Sequence, residues 1–266
     1  VQAACQPECR DREKDGVTNA TQGGDFGRGD LRSSRPVINA PRVVVTLIGV
    51  FVLVHVVRML VSPAMDDRIV LTLAFIPLRY VADAAGFVEI PGGPGAALWS
   101  FVTHALVHAD WLHLGINSVW MLAFGSVLAR RLGAWRFLVF SALAAAAGAG
   151  ASLWLHWGQI SVLIGASGAI SGQMAGAVRL IFALPQGLRG MGTSDLSQVS
   201  PLSLSRTIRN RQALVFLGVW LGIALVTGAL NINPAGGDQS IAWEAHVGGF
   251  VAGLFLFGLM DRRRIA

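Results

Sequence analysis

Charge is scarce in this chain. Of its 266 residues only 14% are Asp, Glu, Lys or Arg, against about 25% in an ordinary soluble domain. That is too little to cover a water-facing surface. Cysteine is nearly absent. Two residues, Cys5 and Cys9, exclude a disulfide scaffold, and the pair reads as free, reduced thiols, since two ligands alone do not make a zinc site. No internal repeat is visible. What the chain does have is apolar: 53% hydrophobic residues and a mean hydropathy of +0.58, which excludes disorder over most of its length. Its 32 Gly and 8 Trp suit close helix packing and interfacial anchoring in a bilayer. The net charge of +6 is compatible with nucleic acid. In a membrane protein the same excess reflects basic cytoplasmic loops, and no nucleic-acid partner is assigned.

Residues 1–41 mix charges with Gly and Ser, lack an apolar run and read as a disordered cytoplasmic tail. No apolar stretch follows a basic start there, so the tail is not a secretory signal. Residues 42–264 read as a membrane domain. Six apolar segments, 43–61, 112–128, 135–154, 162–184, 213–230 and 241–260, approach the ~20 residues needed to cross a hydrocarbon core of ~30 Å. In lipid the backbone must bond to itself, so all six are expected to be helices. Basic residues gather on one side: in the tail, in the second turn (Arg130, Arg131, Arg136), in the linker 185–212 (Arg189, Arg206, Arg209, Arg211) and at Arg262–Arg264. The other side holds Arg68 and Arg79. Arg58 and Arg179, near segment ends, are free to snorkel. This asymmetry predicts both termini in the cytoplasm. Trp99, Trp111, Trp135, Trp154, Trp157 and Trp243 mark the interfaces. The long outer loop 62–110 carries apolar patches at 71–76 and 87–90 and reads as partly interfacial. The Gly/Ser-rich linker 185–212 is expected to be mobile.

Strongly polar groups at membrane depth are functional hypotheses by default. His113 and Asn117, four apart, share a helix face behind a candidate N-cap, Asp110. They could donate to a developing oxyanion or serve as interhelical glue. Ser167 lies in the small-residue run 165–172. There it could sit at an open helix start, where backbone N–H groups face a reacting oxygen, or belong to a packing face formed by Gly168, Gly172 and Gly176. His246 stands above Gly249 and Gly253 on one face, so a neighbouring helix can come near; it is equally readable as an interfacial histidine. His104 and His108 have a spacing a metal could use, but no Glu follows the first as a zincin requires, and they read as loop-structuring. Segments two, four and six run in the same direction. His113, Ser167 and His246 all fall near their starts, at one shallow depth, where random glue would scatter.

In this arrangement the chain resembles the rhomboid family of intramembrane serine proteases over residues 41–264. Three motifs carry the resemblance: H-x-x-x-N at His113–Asn117, G-x-S-G at Gly165–Gly168, and A-H-x-x-G-x-x-x-G from Ala245 through His246, Gly249 and Gly253. The resemblance implies a six-helix all-α membrane bundle with a Ser167–His246 dyad. It implies an oxyanion site formed by His113, Asn117 and the Ser167 N–H, with Gly165, Gly168, Gly249 and Gly253 in structural support and no metal or nucleotide. It further implies endoproteolysis of single-span membrane proteins near the outer face of a bacterial plasma membrane. Ser100 follows Trp99 where family members often have Arg. Ser171 stands where many bacterial members have Tyr, and is expected to orient His246 through its hydroxyl. Glu244 is left outside the dyad as an interfacial residue. Competing readings are a catalytically silent relative that binds membrane clients, a transporter or channel (which predicts inverted repeats and midplane charges, neither visible), and a metal-dependent enzyme built on His104 and His108. The sequence leaves the oligomeric state open.

Overall fold

The computed structural model describes residues 40–81, 90–190, 199–229 and 242–261. The tail over 1–39, most of the patch 87–90 and the basic end Arg262–Arg264 lie outside the described residues. The chain divides into two units, Val1–Asn39 and Ala40–Ala266, and the fold below is that of the second.

Its helices are α1 (Arg42–Leu60), α2 (Pro63–Leu73), α3 (Gly93–Thr103), α4 (Trp111–Trp120), α5 (Ser126–Leu132), α6 (Ala134–Leu155), α7 (Ser167–Ile181), α8 (Leu204–Thr207), α9 (Arg211–Ala229) and α10 (Trp243–Met260). A π-helical turn, Met121–Gly125, joins α4 to α5. Among the described residues the extended pairing is one antiparallel bridge, Phe75 with Leu163. The architecture is the all-helical membrane bundle expected from the sequence. Among the described residues, four helices are long and apolar enough to cross a bilayer: Arg42–Leu60, Trp111–Leu132, Ala134–Leu155 and Trp243–Met260, with a shorter apolar helix at Arg211–Val226.

The fourth segment departs from expectation. Residues 162–166 are not helical, and α7 is only 15 residues long, ~22 Å at 1.5 Å per residue. Every residue from Gly168 to Ile181 is buried, so the helix lies among the others and not against lipid. Small side chains allow this. A Cβ at Gly172 would lie 2.5 Å from Ala144 Cβ and 2.9 Å from the Gly249 carbonyl. Gly249 in turn rests directly on the Gly168 carbonyl, and Gly253 on Gly172. Backbones thus meet where lipid supplies no hydrophobic drive for association. Gln173, fully buried, ties α7 to α6 by donating from Nε2 to Ser141 Oγ at 2.9 Å.

Arginines fasten the ends. Arg131 meets Asp261 at 3.0 and 2.9 Å, both buried, joining the ends of α5 and α10. Arg58 and Arg179, expected to snorkel, instead bind protein. Arg58 donates to Asp66 Oδ1 at 2.6 Å and to the His108 carbonyl at 2.6 Å. Arg179 donates to the Leu202 and Leu254 carbonyls at 2.8 and 3.1 Å and lies over the Phe257 ring, 5.2 Å from its centre. The reason is that both face unfilled acceptors within reach, which a buried guanidinium must satisfy. The linker 185–212, expected to be mobile, is ordered where it is described. Leu202 N–H returns a bond to the Arg179 carbonyl at 2.8 Å, Ser203 caps α8, and the Asn210 carboxamide oxygen accepts from Ala213 N–H at 3.0 Å.

The outer loop is a folded element as well. Trp99 Nε1 donates to the Thr72 carbonyl at 3.0 Å, Thr103 Oγ1 to Leu73 at 2.8 Å, and Tyr80 to Ala97 at 2.6 Å. His104 and His108 are buried. His104 Nδ1–H donates to the Ser100 carbonyl at 2.9 Å, and the His104 carbonyl accepts from Gly165 N–H at 2.9 Å. Burial pushes the His104 pKa down to about 4, and burial with neighbouring His113 and His55 pushes His108 down to about 3.

Two predictions follow from this packing. Gly172→Val should lower stability by about 1–3 kcal/mol through overpacking, whereas Gly49→Ala, with nothing within 4 Å, should be neutral or stabilising by up to about 1 kcal/mol; thermal unfolding in detergent checks both. The unfolded chain protonates these histidines near 6.5, the folded chain only near 4 and 3. Stability should therefore be full above about 6.5 and decline as pH falls from there toward 4. A Tm–pH series with wild type and His104→Gln reads this, and the variant should show a shallower decline.

Candidate active site

The loop before α7 sets the position of Ser167. Gly165 has φ +106°, a left-handed conformation that favours glycine, and a Cβ there would lie 2.7 Å from His113 Nε2. The His113 ring therefore rests against the backbone two residues before Ser167. Ala166 at the start of α7 makes no side-chain cap, so the first N–H groups of the helix are left without a side-chain acceptor. Ser167 is partly exposed at the tip of an otherwise buried helix.

His113 sits in the first turn of α4, where its N–H donates to Asp110 Oδ1 at 2.8 Å; Asp110 is the N-cap expected of it. Asn117 is buried and donates Nδ2 to the His113 carbonyl at 2.9 Å, which fixes its carboxamide along the helix and leaves it a second N–H. The His113 ring also packs edge-on to His108, with centres 5.2 Å apart.

The third motif meets the second through α10. A Cβ at Gly168 would lie 3.3 Å from the Ala245 carbonyl, and one at Gly148 2.7 Å from the same atom. The residue beside His246 is thus held between α6 and α7, one residue along from Ser167. His113 at Gly165 joins α4 to α7, Ala245 at Gly168 joins α7 to α10, and Arg131 with Asp261 joins the far ends of α5 and α10. The second, fourth and sixth segments therefore run parallel, with the three motifs at one common end.

His246 is partly exposed and neighbours Trp220 of α9, ring centres 6.2 Å apart. No hydrogen bond joins Ser167 to His246 among the described residues. Ser171, expected to hold His246 by its hydroxyl, instead donates to the Ser167 carbonyl at 2.7 Å; in a helix the carbonyl four residues back is the nearest acceptor for a serine. Trp220 escaped the sequence reading, and Glu244 has partners that the reading did not assign. Trp220 could not be found from spacing, because nothing in the sequence says which face of α9 meets α10. Glu244, read as interfacial, is 4% exposed and meets Ser152 and His156. Its signal was present in the acidic residue two before His246. Among the described residues no three His, Cys, Asp or Glu side chains are grouped as a metal site.

The cluster offers a hydroxyl, an imidazole on a neighbouring helix, and further donors from His113, Asn117 and a helix start. That donor set suits acyl transfer, in which negative charge develops on a carbonyl oxygen. The chain is similar to the Rhomboid protease GlpG of Serratia proteamaculans (strain 568), with 27% identity over 219 residues, 82% of this chain and 63% of that protein. It is likewise similar to the Rhomboid protease GlpG of Yersinia pestis (strain Pestoides F), 28% identical over 170 residues, 64% of this chain and 50% of the relative. It spans between half and two thirds of the length of these curated relatives. The Rhomboid domain family matches residues 95–263, more than half of the chain and all three motifs, and the chain therefore belongs to the rhomboid family.

Proposed function

We propose that the chain is an intramembrane serine endopeptidase that cleaves single-span membrane proteins near the outer face of a bacterial plasma membrane. The observation that carries this reading is the meeting of three polar motifs at the common end of α4, α7 and α10. Membership of the rhomboid family and the protease names of its relatives support it. The basic residues of the tail, the linker 185–212 and the C-terminus support a cytoplasmic location for both termini. We take 1–41 as an appended tail and 42–264 as the working membrane domain.

In this mechanism Ser167 Oγ attacks the scissile carbonyl while His246 takes its proton, because a serine hydroxyl needs an adjacent base to be nucleophilic. The two side chains come into hydrogen-bond reach as substrate enters, as catalytic contacts often do. The tetrahedral oxyanion accepts hydrogen bonds from the His113 side chain, the Asn117 carboxamide and the Ser167 N–H at the uncapped start of α7. His246 returns its proton to the leaving amine. A water that gives its proton to the same imidazole then attacks the acyl-enzyme, the ester bond to Ser167 Oγ breaks, the imidazole returns the proton to Oγ, and the second product leaves with its new carboxylate. The substrate's own helix must unwind before its carbonyl is open to attack, so small or helix-breaking residues near the membrane boundary favour cleavage.

Cleavage of a model transmembrane substrate by the purified protein in liposomes tests this. Ser167→Ala and His246→Ala should each abolish turnover. Asn117→Ala should lower kcat by about 10²–10³, the usual cost of one oxyanion donor, and a chelator should change nothing. Undiminished cleavage by Ser167→Ala rejects the dyad. Binding of membrane clients without any cleavage by wild type supports the silent-relative reading instead.

A further inference from the structure

We propose that Glu244 is a positioning residue for His246, tethered from behind by Ser152 of α6 and by His156, which follows that helix; the inference rests on the Ser167–His246 reading above. Glu244 lies in the first turn of α10 and is 4% exposed. Its Oε1 accepts from Ser152 Oγ at 3.3 Å and meets His156 Nε2 at 3.3 Å. Ser152 lies in the last turn of α6, and His156 ends that helix with its backbone N–H on the Ser152 carbonyl at 2.9 Å. On the other side of its ring, His156 Nδ1 faces Gln159 Oε1 at 3.2 Å. Both ring nitrogens of His156 thus face polar side chains. Glu244 is thus held by a hydroxyl and an imidazole, beside Ala147, Ala151, Trp154 and Val247.

A carboxylate in such surroundings is costly to bury unless partnered. Packing alone would be served by an apolar residue there, so its presence at this turn needs another reason. The helix geometry supplies one. Glu244 and His246 are two residues apart, about 200° around the axis, and therefore face opposite ways. Glu244 reaches α6, while His246 faces Trp220 of α9. Ala245, between them, has its carbonyl against the glycine positions Gly148 and Gly168. Glycine contacts hold α6, α7 and α10 close together, and Glu244 adds the polar tie between the first turn of α10 and the end of α6. No side chain caps the start of α10. The Glu244 tether, together with the Ala245 contacts, fixes the rotation of the first turn and with it the direction of the imidazole. Glu244 does not touch that imidazole and is not a third member of a triad.

The test compares wild type, Glu244→Leu, Glu244→Gln, His156→Leu and the Leu double variant, in liposomes with a model transmembrane substrate. The readouts are kcat, KM, Tm and the rate at which a fluorophosphonate labels Ser167. Glu244→Leu should lower kcat and the labelling rate together by roughly 10–100-fold, the scale of a reacting group displaced by up to about 1 Å, with KM within about twofold; Tm should fall in this single variant, which strands its partners, and recover in the Leu double variant while kcat stays low. Glu244→Gln, which can still accept from Ser152, should recover most of the loss. The two Leu variants should be non-additive in kcat, since they break one tether. Wild-type kcat in Glu244→Leu overturns the proposal. So does a kcat loss that follows Tm through the series, the Leu double variant included, and is not recovered by Gln, which marks a structural role only. Ser167→Ala, run in parallel, separates the two readings: if it cleaves like wild type the dyad itself is wrong, and if it is dead while Glu244→Leu is fully active only the tether is wrong.

Discussion

The fold depends on backbone meeting backbone where α10 crosses α7. Gly249 rests on the Gly168 carbonyl and Gly253 on Gly172, while Gly172 also admits Ala144 of α6. Association of helices in lipid draws on packing and interhelical hydrogen bonds, not on the exclusion of water, so contact distance matters more than in a soluble core. Removing side chains at this crossing brings a partly exposed Ser167 and a partly exposed His246 onto adjacent turns of neighbouring helices.

Close packing also accounts for the short α7. A helix of 15 residues cannot span ~30 Å of hydrocarbon and would be poorly placed against lipid. Surrounded by other helices it need not span. Its N-terminus begins below the level at which α6 ends, and residues 156–166 descend to it without helix, held by the bridge to Phe75 and by the His104 carbonyl. Irregular backbone at such depth is tolerated only where protein or a water-filled cavity surrounds it. The same segment leaves the first amides of α7 uncapped beside Ser167. One feature, a helix that starts late, thereby gives both the central position and the open donors.

The polar groups that do not belong to the site show the cost of burial at work. Arg58, Arg131 and Arg179 each find carboxylates or carbonyls, because a guanidinium left unpaired in a low-dielectric interior is far more costly than one in water. These ties fasten the outer loop and the linker after α7 where they are described. Glu244 follows the same rule through Ser152 and His156.

The sequence by itself determined the membrane class, most of the apolar spans and the parallel course of the second, fourth and sixth segments, and it singled out His113, Asn117, Ser167 and His246 near the ends that meet. Hydropathy, residue spacing and the depth of polar groups are properties of a segment taken alone, so they can be read before folding. Only the tertiary structure decided that α7 starts at Ser167 and not near 162, that Ser171 turns to its own helix, that Arg58 and Arg179 bind protein instead of reaching for the interface, and that Glu244 and Trp220 flank the histidine-bearing turn. Each of these depends on which acceptor or ring lies nearest in space, and that distance is set by helix rotation and crossing, which no single segment encodes.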